Sequence, residues 1–166
     1  MLTGVYNRWR FMELAEYEFS RHVRFGAGFC LAMIDLDKFK EINDTYGHTA
    51  GDKVLQSFTD VCTTYLRECD IVGRYGGEEF ILLLPETTPE DGLMVANRIR
   101  SMFEAFQIKF NRRTINATVS IGLSSRFNED ENIEAAIERA DIALYQAKEA
   151  GRNSVKMAQT GVLFEI

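Results

Sequence analysis

Asp35-Leu36-Asp37 closes an apolar run, and Gly76-Gly77-Glu78-Glu79-Phe80 sets two carboxylates on a glycine turn. Strand periodicity puts Asp35 and Asp37 on one side, where the apolar run ends. If the run and the turn lie on neighbouring strands, two acidic pairs converge at one sheet edge. Oxygen donors without a nearby His or Cys suit Mg2+ or Mn2+, and Mg2+ is usually held by one or two carboxylates plus substrate phosphates. Acidic residues also simply end strands and turn hairpins, and for either pair alone that is the better account. Both pairs together, with glycines that admit a close backbone, favour a metal–phosphate site.

Asn43, Asp44, His48, Gly51 and Asp52 form a second constellation. An Asn amide and an Asp carboxylate can together read a purine edge that carries donors and acceptors, which describes guanine. Helix capping competes: it is the better account of Asp44 and about equal for the others. Gly47 to Lys53 is one residue too short between its glycines for a P-loop and has Asp before Lys, so that reading is rejected. A calcium loop from Asp35 fails because Phe39 and Lys40 fall at ligand and turn positions. Lys148 and Arg152 flank the end of the last helical stretch, where cations favour the helix dipole. They become phosphate ligands only if the fold brings that end to the acidic edge. Arg67-Glu68-Cys69-Asp70 reads by itself as a solvated corner.

The elements that must position these residues follow from periodicity and breakers. The spacing predicts a helix from Asn7 to Val23 with an inner stripe of Met12, Ala15, Phe19 and Val23. A buried strand covers Phe29 to Asp35, and helices run from Lys38 to Tyr46 and from Ala50 to Leu66. The second of these turns Val54, Phe58, Val61 and Tyr65 inward. Strands Ile71–Tyr75 and Phe80–Leu84 flank the glycine hairpin. A helix from Glu90 to Phe106 should bury Val95, Ile99, Met102 and Phe106. Strands are expected at Ile108–Phe110 and Ile115–Ser124, with Ser154–Met157 closing the sheet. The last long helix, Ile133 to Ala150, carries Ile133, Ile137, Ala140, Leu144 and Ala147, with Gly151 at C′. A hairpin-linked strand pair requires a partly antiparallel sheet and excludes a purely parallel doubly wound fold.

The chain has 166 residues, 19 basic against 25 acidic side chains and a net charge of −6. That length suits one domain over residues 1–166 with a real core. The acidic balance argues against a nucleic-acid polymer as partner. The run Phe29–Ile34 is the longest apolar stretch and too short to span a bilayer, so no membrane contact by this domain is expected. Three cysteines match no zinc spacing, and Cys30 and Cys62 fall in apolar-periodic stretches. A reduced, cytoplasmic-type domain is expected, with any sensor or membrane region of a longer protein outside it.

Taken in order, these residues resemble the GGDEF family of diguanylate cyclases over nearly the whole chain. The resemblance opens at Leu2-Thr3-Gly4-Val5-Tyr6-Asn7-Arg8, without the usual preceding Asp-Pro. It continues through Asp35-Leu36-Asp37-Lys38-Phe39-Lys40, Asn43 to His48 and Ala50-Gly51-Asp52. The signature stands as Gly-Gly-Glu-Glu-Phe, and Ala147-Lys148 and Gly151-Arg152-Asn153 follow near the end. Membership implies an α/β (α+β) fold: a mixed, largely antiparallel sheet flanked by helices, akin to nucleotidyl cyclases and polymerase palms. It implies condensation of two GTP into cyclic di-(3′→5′)-GMP and two pyrophosphates between two facing protomers, a homodimer in catalysis.

Position by position, the resemblance makes Asp35, the Leu36 carbonyl, Glu78 and Glu79 the ligands of Mg2+ or Mn2+. Glu78 is also the candidate base for the 3′-OH, and Lys40 matches a transition-state cation. Asn43, Asp52 and His48 fall at guanine-reading positions, Phe39 and Gly77 at the substrate site, and Lys148 and Arg152 at the phosphate pair. Arg67 and Asp70 match an Arg-x-x-Asp inhibitory product site to which Arg98 contributes, which displaces the solvated-corner reading. A degenerate receptor would break signature residues, and none is broken here. An ATP-accepting hybrid would carry a smaller residue at Asp52.

Overall fold

The apolar run ending at Asp35 becomes the middle of a six-stranded sheet in the computed structural model, which describes residues 2–26 and 28–158. Along the chain lie β1 (Tyr6–Asn7), α1 (Arg8–Phe25), β2 (Phe29–Leu36), α2 (Phe39–Tyr46) and α3 (His48–Tyr65). Then come β3 (Ile71–Arg74), β4 (Glu79–Pro85), α4 (Pro89–Ala105), β5 (Ile108–Phe110) and β6 (Arg113–Ile115). β7 (Val119–Ser125), α5 (Ile133–Glu149) and β8 (Val155–Met157) complete them. The sheet order is β1-β3-β4-β2-β7-β8, with β5 and β6 apart as a small hairpin. β2 runs antiparallel to both neighbours, and only the outer pairs β1–β3 and β7–β8 are parallel. The expected mixed, largely antiparallel sheet between helices is therefore the observed one.

Alternation along β2 divides the core. Cys30, Ala32, Ile34 and Leu36 pack with Phe80 and Leu82 of β4, Val54 and Phe58 of α3, and Ile99 and Phe103 of α4. Phe29, Leu31 and Met33 face the other way, onto Phe11, Ala15 and Phe19 of α1 and Ile137, Ala140 and Leu144 of α5. α5 lies close on the sheet because β7 presents Gly122, whose missing Cβ would strike the Ala140 carbonyl and the Leu144 amide. That close seating carries the end of α5 toward the end of β2.

Several sequence expectations are corrected. Val23 is half exposed, and His22 takes the buried position in its stripe. The inner face of α4 is Gly92, Ala96, Ile99 and Phe103; Met102 and Phe106 lie outside. The expected strand Ile115–Ser124 divides between β6, paired with β5, and β7 in the main sheet. Asn111 and Arg112 make the β5–β6 turn with φ of 45° and 63°, the left-handed pair that suits a two-residue hairpin. Residues 1, 27 and 159–166, which the single-domain expectation also covers, lie outside the described residues.

Candidate functional site

β2 delivers the first carboxylate. In the β2–β4 register Asp35 pairs with Glu79, and the Leu36 amide donates to the Glu78 carbonyl at 3.3 Å. The two acidic segments thus meet at one end of the sheet. The hairpin between them closes with the Tyr75 amide on the Glu79 carbonyl at 2.8 Å, leaving Gly76, Gly77 and Glu78 as its tip. Neither tip glycine has left-handed backbone, so room rather than φ explains them: the Glu79 carboxylate folds over Gly76, and Gly77 is open above. The tip is braced by residues that sequence reading missed. Arg74 donates to the Gly77 carbonyl through Nε (3.1 Å) and a terminal nitrogen (2.6 Å). Arg8 lies over the Tyr75 ring at 4.3 Å and donates to its hydroxyl at 3.1 Å.

The cations expected to grip phosphate reach this same end. Lys148 Nζ lies 2.8 Å from Asp35 Oδ2, and the charge of Arg152, four residues on, also favours the ionised form of this carboxylate. Burial pushes the Asp35 carboxyl above its ordinary 3.8, and Asp37 adds to this, while Lys148 and Arg152 oppose it. A half-buried carboxylate that faces cations is suited to exchange them for a metal ion. Among the described residues no three His, Cys, Asp or Glu side chains are grouped to hold a metal by themselves. Asp35, Glu78, Glu79 and the Leu36 carbonyl nevertheless make an all-oxygen donor set. Such a set fits an ion whose coordination substrate phosphate and water complete.

Asp37 separates from Asp35. It is buried and accepts from Thr118 Oγ1 (2.7 Å), Ser120 Oγ (2.7 Å) and the Asn153 amide (3.0 Å). The sequence pair is therefore one carboxylate facing cations and one bonded into the fold. Ser120, a polar residue between the apolar Val119 and Ile121, was the signal that could have found this.

Beyond Asp37 the backbone turns sharply through Lys38, φ 56°, into α2. Phe39 and Asn43 pack on α3 at Gly51, where any side chain would overlap the Asn43 amide oxygen. Gly51 so places Asn43 beside the turn of α3 that bears Asp52. The capping alternative fails: Lys38 and Gly47 occupy the cap positions, neither helix has a side-chain cap, and Asp52 sits inside α3. Asp52, His48 and Lys40 are exposed. A cleft of about 620 Å³ lies on the far side of α2, lined by Glu41, Thr45, Glu104 and Asn116 among others, and is separate from the Asn43 face.

The corner after α3 also assembles. The Arg67 amide donates to Asp70 Oδ2 at 2.7 Å, and Arg98 donates to the Tyr65 carbonyl at 2.8 Å. Burial raises the Asp70 carboxyl, against the Arg67 amide and the charges of Arg67 and Arg98. The three residues therefore share one corner. It lies at the opposite end of β3 from the hairpin, four residues and about 13 Å away at the strand rise.

Comparison with known proteins identifies the family. The family model described as diguanylate cyclase, GGDEF domain, matches residues 1–154. Diguanylate cyclase DgcP of Pseudomonas aeruginosa is 43% identical over 157 residues, covering 95% of this chain and 23% of that protein. Response regulator PleD of Caulobacter vibrioides is 40% identical over 156 residues, 93% of this chain and 34% of that protein. The chain thus spans about a quarter to a third of the length of these curated relatives. Among solved structures, the GGDEF domain of DgcB from Caulobacter crescentus in complex with c-di-GMP superposes with a TM-score of 0.91. It is 32% identical, with 95% of this chain and 94% of that one covered. The active GGEEF domain of a diguanylate cyclase from Vibrio cholerae gives a TM-score of 0.89 at 31% identity, covering 95% and 99%. By these matches and by its fold, the chain belongs to the GGDEF-domain family of diguanylate cyclases.

Proposed function

We propose that residues 1–166 act as a single catalytic domain that condenses two GTP into cyclic di-GMP, releasing two pyrophosphates. The observation that carries this reading is the Lys148–Asp35 contact of 2.8 Å. It joins the cationic end of α5 to the acidic end of β2, the juxtaposition a triphosphate and its metal require. Asp35, the Leu36 carbonyl, Glu78 and Glu79 would hold a Mg2+ or Mn2+ ion, which when bound supplies positive charge at the phosphate oxygens and acidifies a neighbouring hydroxyl.

The chain's own groups do the rest. Asn43 and Asp52, with His48 beside them, bind the guanine edge by its donors and acceptors. Phe39 and Gly77 border the nucleotide, and Lys148 and Arg152 bind its phosphates. Glu78 takes the proton of a 3′-OH, whose oxygen bonds to the α-phosphorus of a GTP on the facing protomer. The bond to pyrophosphate breaks, and Lys40 neutralises charge gathering on the phosphoryl oxygens. The reaction repeated in the other direction closes the ring, so catalysis belongs to a homodimer. Cyclic di-GMP then binds at Arg67 and Asp70, with Arg98 contributing, and inhibits away from the GTP site. Arg offers a donor fork to phosphate or the guanine Hoogsteen edge, and Asp70 accepts from guanine N1 and N2.

Glu78→Gln keeps the side-chain volume and removes a metal charge and a base. Turnover should fall by about a thousandfold, with the fold unchanged by circular dichroism. Near-normal product formation by the folded variant would reject the assignment. Arg67→Ala should keep basal turnover and lose product inhibition. Inhibition by added cyclic di-GMP that survives in this variant, or that GTP fully relieves in wild type, would reject the product site.

A further inference from the structure

Asp37 has no part in the reaction above, yet its carboxylate is fully committed. Oδ1 accepts from Ser120 Oγ, and Oδ2 accepts from Thr118 Oγ1 and the Asn153 amide. Asp37 lies two residues after Asp35, and Asn153 directly follows Arg152. This bond therefore ties the carboxylate end of β2 to the cationic turn after α5. The backbone around it is left-handed at three non-glycine positions, Lys38 (φ 56°), Arg152 (φ 67°) and Asn153 (φ 43°). Side chains disfavour that conformation, and it persists only where surrounding contacts hold it. Here they do. Asn153 Oδ1 accepts from Arg100 at 2.8 Å, Nδ2 donates to Glu104 at 2.8 Å, and the Arg152 amide donates to the Ala147 carbonyl at 3.1 Å.

We propose that Asp37 is a positioning residue. By accepting the Asn153 N–H it locks the Arg152-Asn153 turn to the end of β2, and so holds Arg152 where one triphosphate can reach both it and the Asp35 edge. The inference rests on the phosphate reading of Arg152. Asp37 acts through hydrogen bonding and not through its charge, and this distinguishes it from a metal ligand.

The variants separate the two roles. In Asp37→Asn the amide oxygen at the Oδ2 position can still accept from Asn153 and Thr118, while the Ser120 hydroxyl reverses to accept from the amide NH2. Asp37→Ala removes every acceptor. Binding of a methylene-bridged GTP analogue and of guanosine should be measured by calorimetry on folded wild type, Asp37→Ala, Asp37→Asn, Arg152→Ala and the Asp37→Ala/Arg152→Ala double variant. Asp37→Ala and Arg152→Ala should each weaken the analogue about tenfold. The double variant should lose no more than about twofold beyond either single one, because both remove the same contact. Asp37→Asn should bind like wild type, and guanosine affinity should not move.

The proposal is overturned if Asn is as damaging as Ala, if the two losses multiply, or if guanosine weakens equally. An Arg152→Ala variant that binds the analogue normally would instead reject the phosphate reading itself. Should Asp37→Ala not fold, the double variant Thr118→Val/Ser120→Ala carries the same comparison, since it removes the two hydroxyls that orient the Asp37 carboxylate toward the Asn153 N–H.

Discussion

The two ends of strand β2 treat buried polar groups in opposite ways. At the Asp35 end three side chains that are buried or half-buried meet partners brought from far along the chain. Asp35 meets Lys148, Asp37 meets Thr118, Ser120 and Asn153, and Asn153 meets Arg100 and Glu104. At the Phe29 end His22 is wholly buried against the Phe29 ring, 5.7 Å between centroids. Among the described residues neither of its ring nitrogens has a hydrogen-bond partner. Its Nε2 lies 3.4 Å from Glu18 Oε2, a neighbour on the same helix. Polar groups with non-local partners mark the acidic end. A local and unsatisfied one marks packing. Cys30 belongs with the packing end: burial raises its thiol to about 12, so it is an inert apolar filler.

Asp35→Asn should break the comparison most. Turnover should drop at least about a hundredfold, because the charge proposed to face metal and phosphate is lost. Stability should hold or rise at neutral pH. The folded Asp35 carboxyl is raised above its ordinary 3.8, so ionising it costs the native state stability as pH rises through that window, and the cost persists above it. The stability gap between variant and wild type should therefore shrink as pH falls through the same window. Thermal melts across pH check this, and a variant clearly less stable at neutral pH would contradict it.

A smaller effect belongs to the other end. Burial lowers the His22 pKa below 6.5, opposed by Glu18 and Glu86 and aided by Arg21 and Arg126. The unfolded chain binds the proton more readily, so stability is lost as pH falls from 6.5 to the lowered folded value. His22→Leu should gain about 1 kcal/mol at neutral pH and more in acid, with turnover unchanged. Chemical denaturation at two pH values measures it, and a loss of stability on substitution would show that His22 is well satisfied.

Much of this was legible. The alternation of β2, the glycine hairpin and the stripe of α5 needed only period and turn chemistry, and they bring Asp35, Glu79 and Lys148 together. What escaped depends on packing by small residues or on distant partners. The face of α4 was misread because Gly92 and Ala96, not its larger apolar neighbours, seat it: a Cβ at Gly92 would lie 2.6 Å from Cys30 Sγ. Asp37 shared the periodicity of Asp35, and only partners 81, 83 and 116 residues away distinguish the two. His22 lost to Val23 in a reading by hydropathy, although its helical register was the correct one.

The joining of two GTP by two copies of this acidic end is the proposed reaction. It is tested most directly by following GTP consumption with Mg2+ while the protein concentration is raised, with cyclic di-GMP and pyrophosphate resolved chromatographically. The expected result is one cyclic di-GMP for every two pyrophosphates and a specific rate that climbs with protein concentration, or on fusion to a dimerising coiled coil. A specific rate that stays flat across the dimerisation range, or no cyclic di-GMP even from the tethered dimer, would contradict it.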